Sequence, residues 1–217
     1  MDQKKTLAKR RVHIVDDDPK VSEAVALMLS TARIESQRHG SAEEYLKAVS
    51  HGDSACVLLD NRLPGLSGID LLRHFAETGS DVPVIMMTGH GDVPTAVTAM
   101  KLGAFHFVEK PFDARALLSS VEEALSLAEN IRDLQSESKQ FEACRAQLTP
   151  REAEVYELLL EGMPTKSIAA RLDITARTAE HHRAAVLRKF DARSISHLMR
   201  MALSPKKSLP PSALRGR

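Results

Sequence analysis

Cys56-Val57-Leu58-Leu59-Asp60-Asn61-Arg62-Leu63-Pro64 is a short apolar run that ends on a carboxylate and then breaks at a proline. A run this short, bounded by turn residues, predicts a strand buried on both faces. Working outward, the same unit recurs. Strands are expected at Val12–Val15, Ile34–Arg38, Cys56–Leu59, Val84–Met87 and Phe105–Val108. Helical apolar spacing occupies Val21–Ala32, Ala42–Ser50, Gly68–Thr78, Val93–Leu102 and Ala114 onward. Alternation of this kind predicts an α/β fold, with five helices around a five-stranded parallel sheet. In such a sheet the loops leaving the carboxyl ends of the strands share one crevice, and ligands bind there.

The residues at those strand ends carry chemistry. Asp16-Asp17-Asp18 follows the first strand, Asp60 ends the third, Thr88 the fourth, and Lys110-Pro111 the fifth. Carboxylates brought together repel one another unless a cation neutralises them, and an oxygen-only set such as Asp16, Asp17 and Asp60 selects a hard ion, Mg²⁺ above all. A carboxylate is also a nucleophile toward phosphorus, and Asp60 is placed for that role. The ammonium of Lys110 would neutralise charge on the equatorial oxygens, the Thr88 hydroxyl would donate to another oxygen, and Phe107 would repack as Thr88 moves inward. Each residue taken singly has a plainer reading: Asp16–Asp18 as a helix-capping turn, Asp60 as a loop acid, Thr88 as a strand-end hydroxyl, Lys110 as a solvated cation, Phe107 as core. Their coincidence at one sheet edge favours the shared chemical role.

The composition divides the chain in two. Of its 217 residues, 12–128 hold 9 Lys/Arg against 17 Asp/Glu, whereas 145–217 hold 14 against 7, so the net charge of +1 conceals opposite halves. That asymmetry suits a cation- or phosphate-handling unit joined to a nucleic-acid binder. The 2 cysteines, Cys56 and Cys144, offer no disulfide framework, which points to a reducing, cytoplasmic setting. No apolar run approaches the ~20 residues of a membrane span, so no membrane association is expected. Residues 1–11 read as a disordered basic arm and residues 204–217 as a disordered basic tail.

A heptad-like set, Leu117, Ala124, Leu127, Ile131, Leu134, Phe141 and Leu148, extends the last helix of the first domain, 12–128, into a linker, 129–147. Interruptions at Ser120, Ser138 and Arg145 leave a dimerising coil and a solvated connector equally open. Thr149-Pro150-Arg151-Glu152 then opens a small all-α domain, 148–203: Thr149 caps, Pro150 suits the first helical position and Glu152 completes a capping box. Helices are expected at Arg151–Glu161, Thr165–Leu172, Ala176–Lys189 and Ile195–Leu203. The Thr165–Leu172 and Ala176–Lys189 pair forms a helix-turn-helix, its longer helix carrying Arg177, His182, Arg183, Arg188 and Lys189. A four-helix unit with a solvated basic face would explain the charges alone.

The motifs His13-Ile14-Val15-Asp16-Asp17-Asp18, Leu58-Leu59-Asp60-Asn61-Arg62-Leu63-Pro64 with Gly68, Met87-Thr88-Gly89-His90-Gly91-Asp92-Val93 and Glu109-Lys110-Pro111-Phe112 resemble a response-regulator receiver domain, the third being similar to the FixJ group. The resemblance implies a flavodoxin-like fold and a sensor histidine kinase that phosphorylates Asp60. It also implies Mg²⁺ held by Asp17, Asp60 and the carbonyl of Arg62 with Asp16 acting through water, and a switch made of Thr88 and Phe107. Leu148-Thr149-Pro150-Arg151-Glu152, Lys166-Ser167-Ile168-Ala169, Arg177-Thr178-Ala179-Glu180-His181-His182-Arg183 and Lys189-Phe190-Asp191 resemble the LuxR-type helix-turn-helix of FixJ- and NarL-like regulators. By family position Glu180, His181 and Ala184 face bases, and Lys166, Arg177, His182, Arg183 and Lys189 contact phosphate or position the helix, with Thr178 in the same DNA-binding set. Ala179 departs from a bulky aliphatic residue and Asp191 from a glycine, though Asp191 tolerates a left-handed turn.

Together these features imply a transcription regulator that, once phosphorylated, forms a homodimer through the Val93–Leu125 region and binds double-stranded promoter DNA beside RNA polymerase, activating transcription. A phosphorylation-independent regulator with a sigma-like helical domain is the alternative. An aspartyl-phosphate phosphatase is disfavoured, since Asn61 and Arg62 follow Asp60 without a second acid. No enzyme activity on an external substrate is expected.

Overall fold

Val12, Ile14, Cys56, Leu58, Ile85 and Met87 point to one side of a parallel sheet, while Val15, Val57, Leu59, Val84 and Met86 point to the other. Both faces are buried, which is why these strands read as continuous apolar runs. The structure, a computed structural model, describes residues 11–49, 55–89 and 93–203. The expected arm and tail, the helix end at Ser50 and the His90-Gly91-Asp92 part of the third motif lie outside those residues, Arg11 excepted.

The chain divides into two compact units between Arg132 and Asp133. In the first, elements follow as β1 (Val12–Val15), α1 (Pro19–Thr31), β2 (Ser36–His39), α2 (Ala42–Ala48), β3 (Cys56–Asp60), α3 (Gly68–Thr78), β4 (Val84–Thr88), α4 (Val93–Lys101), β5 (His106–Glu109) and α5 (Ala114–Ala146). The strands are all parallel in the order β2-β1-β3-β4-β5. Helices α1 and α5 cover one face through Val25, Leu29, Leu117, Val121 and Leu125. Helices α2, α3 and α4 cover the other through Tyr45, Leu71, Phe75 and Ala99. The connection order reverses between β1 and β3, which opens the ligand crevice at their carboxyl ends.

Two sequence-derived boundaries shift for local reasons. Helix α1 starts at Pro19, with Asp18 accepting the Lys20 amide at 2.8 Å as its cap, rather than at Val21. Strand β2 starts at Ser36 rather than Ile34. The Ile34 amide donates to the Leu29 carbonyl at the end of α1, after a left-handed Arg33 (φ 57°), so it is spent closing the helix before the ladder begins. Within α5, Leu117 and Ala124 pack in the core of the first unit and Ile131 is buried, whereas Leu134 is 46% exposed.

In the second unit the end of α5 is followed by α6 (Pro150–Leu160), α7 (Thr165–Arg171), α8 (Ala176–Lys189) and α9 (Ile195–Leu203). Val155, Tyr156, Leu159, Ile168, Val186, Phe190 and Leu198 form their common core, with Phe141 and Leu148 packed against it. The capping box at Thr149 and Glu152 forms as expected. Asp191 adopts the left-handed conformation (φ 50°) in the turn before α9.

Candidate functional site

Strand order brings the acids together. Asp16 follows β1, Asp60 ends the adjacent β3, and both are almost fully buried. The Lys110 ammonium, following β5, lies 2.7 Å from Asp16 Oδ2 and 2.5 Å from Asp60 Oδ1. The other Asp60 oxygen, Oδ2, accepts the Arg62 amide at 2.7 Å. Burial pushes the Asp60 carboxyl above its ordinary range, more than the Lys110 ammonium draws it down. Burial works against charge on Lys110 too, yet the two carboxylates outweigh it and leave the ammonium more basic than usual.

The remaining sequence-derived residues surround this triad with different engagements. Thr88 is buried, its hydroxyl donates to the Gly89 carbonyl at 2.9 Å, and its own carbonyl accepts the Lys110 amide. Phe107 is partly buried against the Val15 and Met86 face of the sheet. Asp17 is exposed beside Asp16. Among the described residues no three candidate ligand side chains form a metal cluster. The donors still suit a hard cation, since Mg²⁺ takes one or two carboxylates and completes its shell with water and phosphate oxygens.

The loop after Asp60 is fixed by contacts between distant parts of the chain. Glu43 on α2 accepts the Leu66 amide at 2.9 Å, which holds its carboxyl below the usual range. Gly68 donates to the Asn61 carbonyl as α3 begins. Local sequence carries no signal for the role of Glu43.

On α8, Arg177, Glu180, His181, Ala184 and Arg188 are exposed. Their three- and four-residue spacing makes one stripe, opposite the buried Ala179, Ala185 and Val186. Glu180 accepts from Arg183 at 2.9 Å, which keeps its carboxyl ionised below the usual range, with Thr165 adding a weaker hydrogen bond. Thr178, His182 and Arg183 are half-buried at the flank of the stripe, and Lys166 is exposed on α7. Lys189, expected to contact phosphate or position the helix, is engaged within the domain. Its ammonium donates to Glu152 at 2.6 Å and to the Gln147 carbonyl at 2.9 Å.

An acidic strand-end pocket with a half-buried lysine, in a chain that also carries a cationic helix-turn-helix, defines a phospho-acceptor module joined to a DNA-binding module. Comparison with known proteins agrees for each part. Residues 12–122 match the response regulator receiver domain, and residues 146–202 match the bacterial regulatory proteins of the luxR family. The chain belongs to the response-regulator family, in the FixJ/NarL-type group of transcriptional regulators that pair a receiver with a LuxR-type DNA-binding domain. It is 43% identical to the transcriptional regulatory protein FixJ of Azorhizobium caulinodans, over 88% of this chain and 91% of that one. It is 35% identical to the response regulator protein TodT of Pseudomonas putida, over 91% and 87%. Among solved structures, the response regulator StyR superposes with a TM-score of 0.79 at 35% identity, covering 88% of this chain and 97% of that one. Full-length FixJ from B. japonicum gives 0.55 at 39%, covering 90% and 97%. Among the described residues no helix is long and apolar enough to cross a membrane.

Proposed function

We propose that a sensor histidine kinase phosphorylates this regulator on Asp60, and that the modified protein dimerises and binds promoter DNA in the cytoplasm to activate transcription with RNA polymerase. The observation that carries the reading is the convergence of Asp16, Asp60 and Lys110 at the carboxyl ends of β1, β3 and β5. An Asp60 oxygen attacks the phosphorus of a phosphohistidine. The P–N bond breaks as the P–O bond forms, and the imidazole leaves with the electron pair and takes up a proton. Lys110 neutralises charge that develops on the phosphoryl oxygens. Asp16, Asp17, Asp60 and the Arg62 carbonyl are the groups that would hold Mg²⁺, which supplies further neutralisation of phosphoryl charge when bound. In the modified state Thr88 exchanges its Gly89 partner for a phosphoryl oxygen, and Phe107 moves inward.

On DNA, Glu180, His181 and Ala184 are assigned to base edges and Lys166, Arg177, His182, Arg183 and Lys189 to phosphate or helix placement, with Thr178 among them. Dimerisation through the Val93–Leu125 region would align two reading helices on paired half-sites. The test is to incubate wild type and Asp60→Asn with a small phosphodonor and Mg²⁺, then measure mass, oligomeric state and DNA retention. Wild type is expected to gain one phosphoryl group, to dimerise and to bind DNA more tightly, and Asp60→Asn to do none of these. An adduct that persists in Asp60→Asn removes the site assignment.

A further inference from the structure

Two cationic side chains of the second unit tie its helices together. Lys189, the last residue of α8, gives one hydrogen to the carboxylate of Glu152 and another to the Gln147 carbonyl. Glu152 is 7% exposed, and the oxygen that meets Lys189 also accepts the Thr149 amide at 2.7 Å, closing the cap of α6. The neighbouring Arg151 donates to the carbonyl of Leu172 at 3.0 Å, in the turn between α7 and α8. The first turn of α6 therefore holds the helix-turn-helix at two points that flank α8, at the turn before it through Arg151 and at its far end through Glu152. Between those two ties lies the stripe of Arg177, Glu180, His181 and Ala184.

We infer that Glu152 and Lys189 are positioning residues for DNA reading: their ion pair sets how α8 is presented to the groove, and Lys189 contacts no phosphate. The inference rests on the DNA-binding role proposed above and narrows the role of one cation within it. The alternative assignment, with Lys189 on the DNA backbone, leaves a phosphate only the third ammonium hydrogen, unless the ammonium gives up Glu152 or the Gln147 carbonyl. Giving up Glu152 would strand a largely buried carboxylate without its cation.

A phosphate contact and a positioning contact leave different signatures. Each phosphate neutralised contributes about 0.9 to the slope of log K against log salt on B-DNA, whatever the sequence. A positioning residue changes discrimination between sequences and leaves that slope alone. The probes are an unselected random-sequence duplex pool and the duplexes that wild-type full-length protein enriches from it. Lys189→Met alone leaves a stranded carboxylate, so the informative variant is Glu152→Gln with Lys189→Met, which keeps the net charge and removes no hydrogen-bond acceptor from the cap.

At a temperature where circular dichroism shows the variant fully helical, its preference for enriched over unselected duplex is expected to fall about tenfold, with the salt slope unchanged. Arg177→Ala, as the control, is expected to lower the slope by about 0.9. A slope lowered by the same amount in the double variant overturns the inference. So does an unchanged preference with an unchanged slope, which would make the pair purely structural. Failure of the wild type to bind either duplex would instead count against the DNA-binding reading itself.

Discussion

A Cβ placed on Gly68 would stand 2.2 Å from the carbonyl oxygen of Asp60. The first residue of α3 is therefore pressed directly against the backbone of the carboxylate at the end of β3. Because the opposing atom belongs to the main chain, it cannot swing aside as a side chain would. Gly68→Ala is expected to destabilise the first unit by about 1–3 kcal/mol and to slow labelling of Asp60 by a small phosphodonor. Urea titration and the labelling rate check the two parts separately.

Lys110→Met removes a cation that hydrogen-bonds both Asp16 and Asp60. Stranding two buried carboxylates in this way typically costs about 3–5 kcal/mol. Added Mg²⁺ is expected to raise the Tm of the variant more than that of wild type, and a chelator to reverse the gain. Equal shifts in the two proteins would argue against a cation site at these carboxylates.

Acid provides a separate handle on the second unit. The Lys189 ammonium, with the Thr149 amide, holds the Glu152 carboxyl down to about 2, against an ordinary 4.5. A depressed carboxylate stabilises the folded state above its unfolded value and loses that contribution as pH falls toward its folded value. Stability of this unit should therefore decline as pH falls from about 4.5 toward 2. Chemical denaturation at stepped pH, followed by the NMR signals of Tyr156 and Phe190, should show that slope in wild type and a shallower one in Glu152→Gln.

His181→Ala removes an exposed ring from the stripe of α8 while leaving the core untouched. It is expected to relax preference at one base pair by about 1–3 kcal/mol without altering the salt slope. Comparison of duplex pools enriched by the two proteins reads this directly.

The ends of β1, β3 and β4 were legible because each of these strands is largely apolar up to Asp16, Asp60 or Thr88, whereas Lys110 follows an edge strand, His106–Glu109, and is marked by the proline after it. Strand β2 was less so: Ile34 is apolar because it packs in the core, and its amide serves the end of α1. Glu43 was invisible because its partner, Leu66, lies 23 residues away. The partner of Lys189 was hidden for a related reason. On a helix wheel Lys189 is one cation among several, and only its carboxylate partner, 37 residues earlier in the chain, distinguishes it.

The carboxylate of Asp60 is gripped at both oxygens, by an ammonium on one and a backbone amide on the other. Its torsional freedom has thus been surrendered during folding, so no reactant has to supply the entropy of aiming it. The two oxygens are also inequivalent before any donor arrives, and a phosphoryl group meets an acceptor with a built-in handedness.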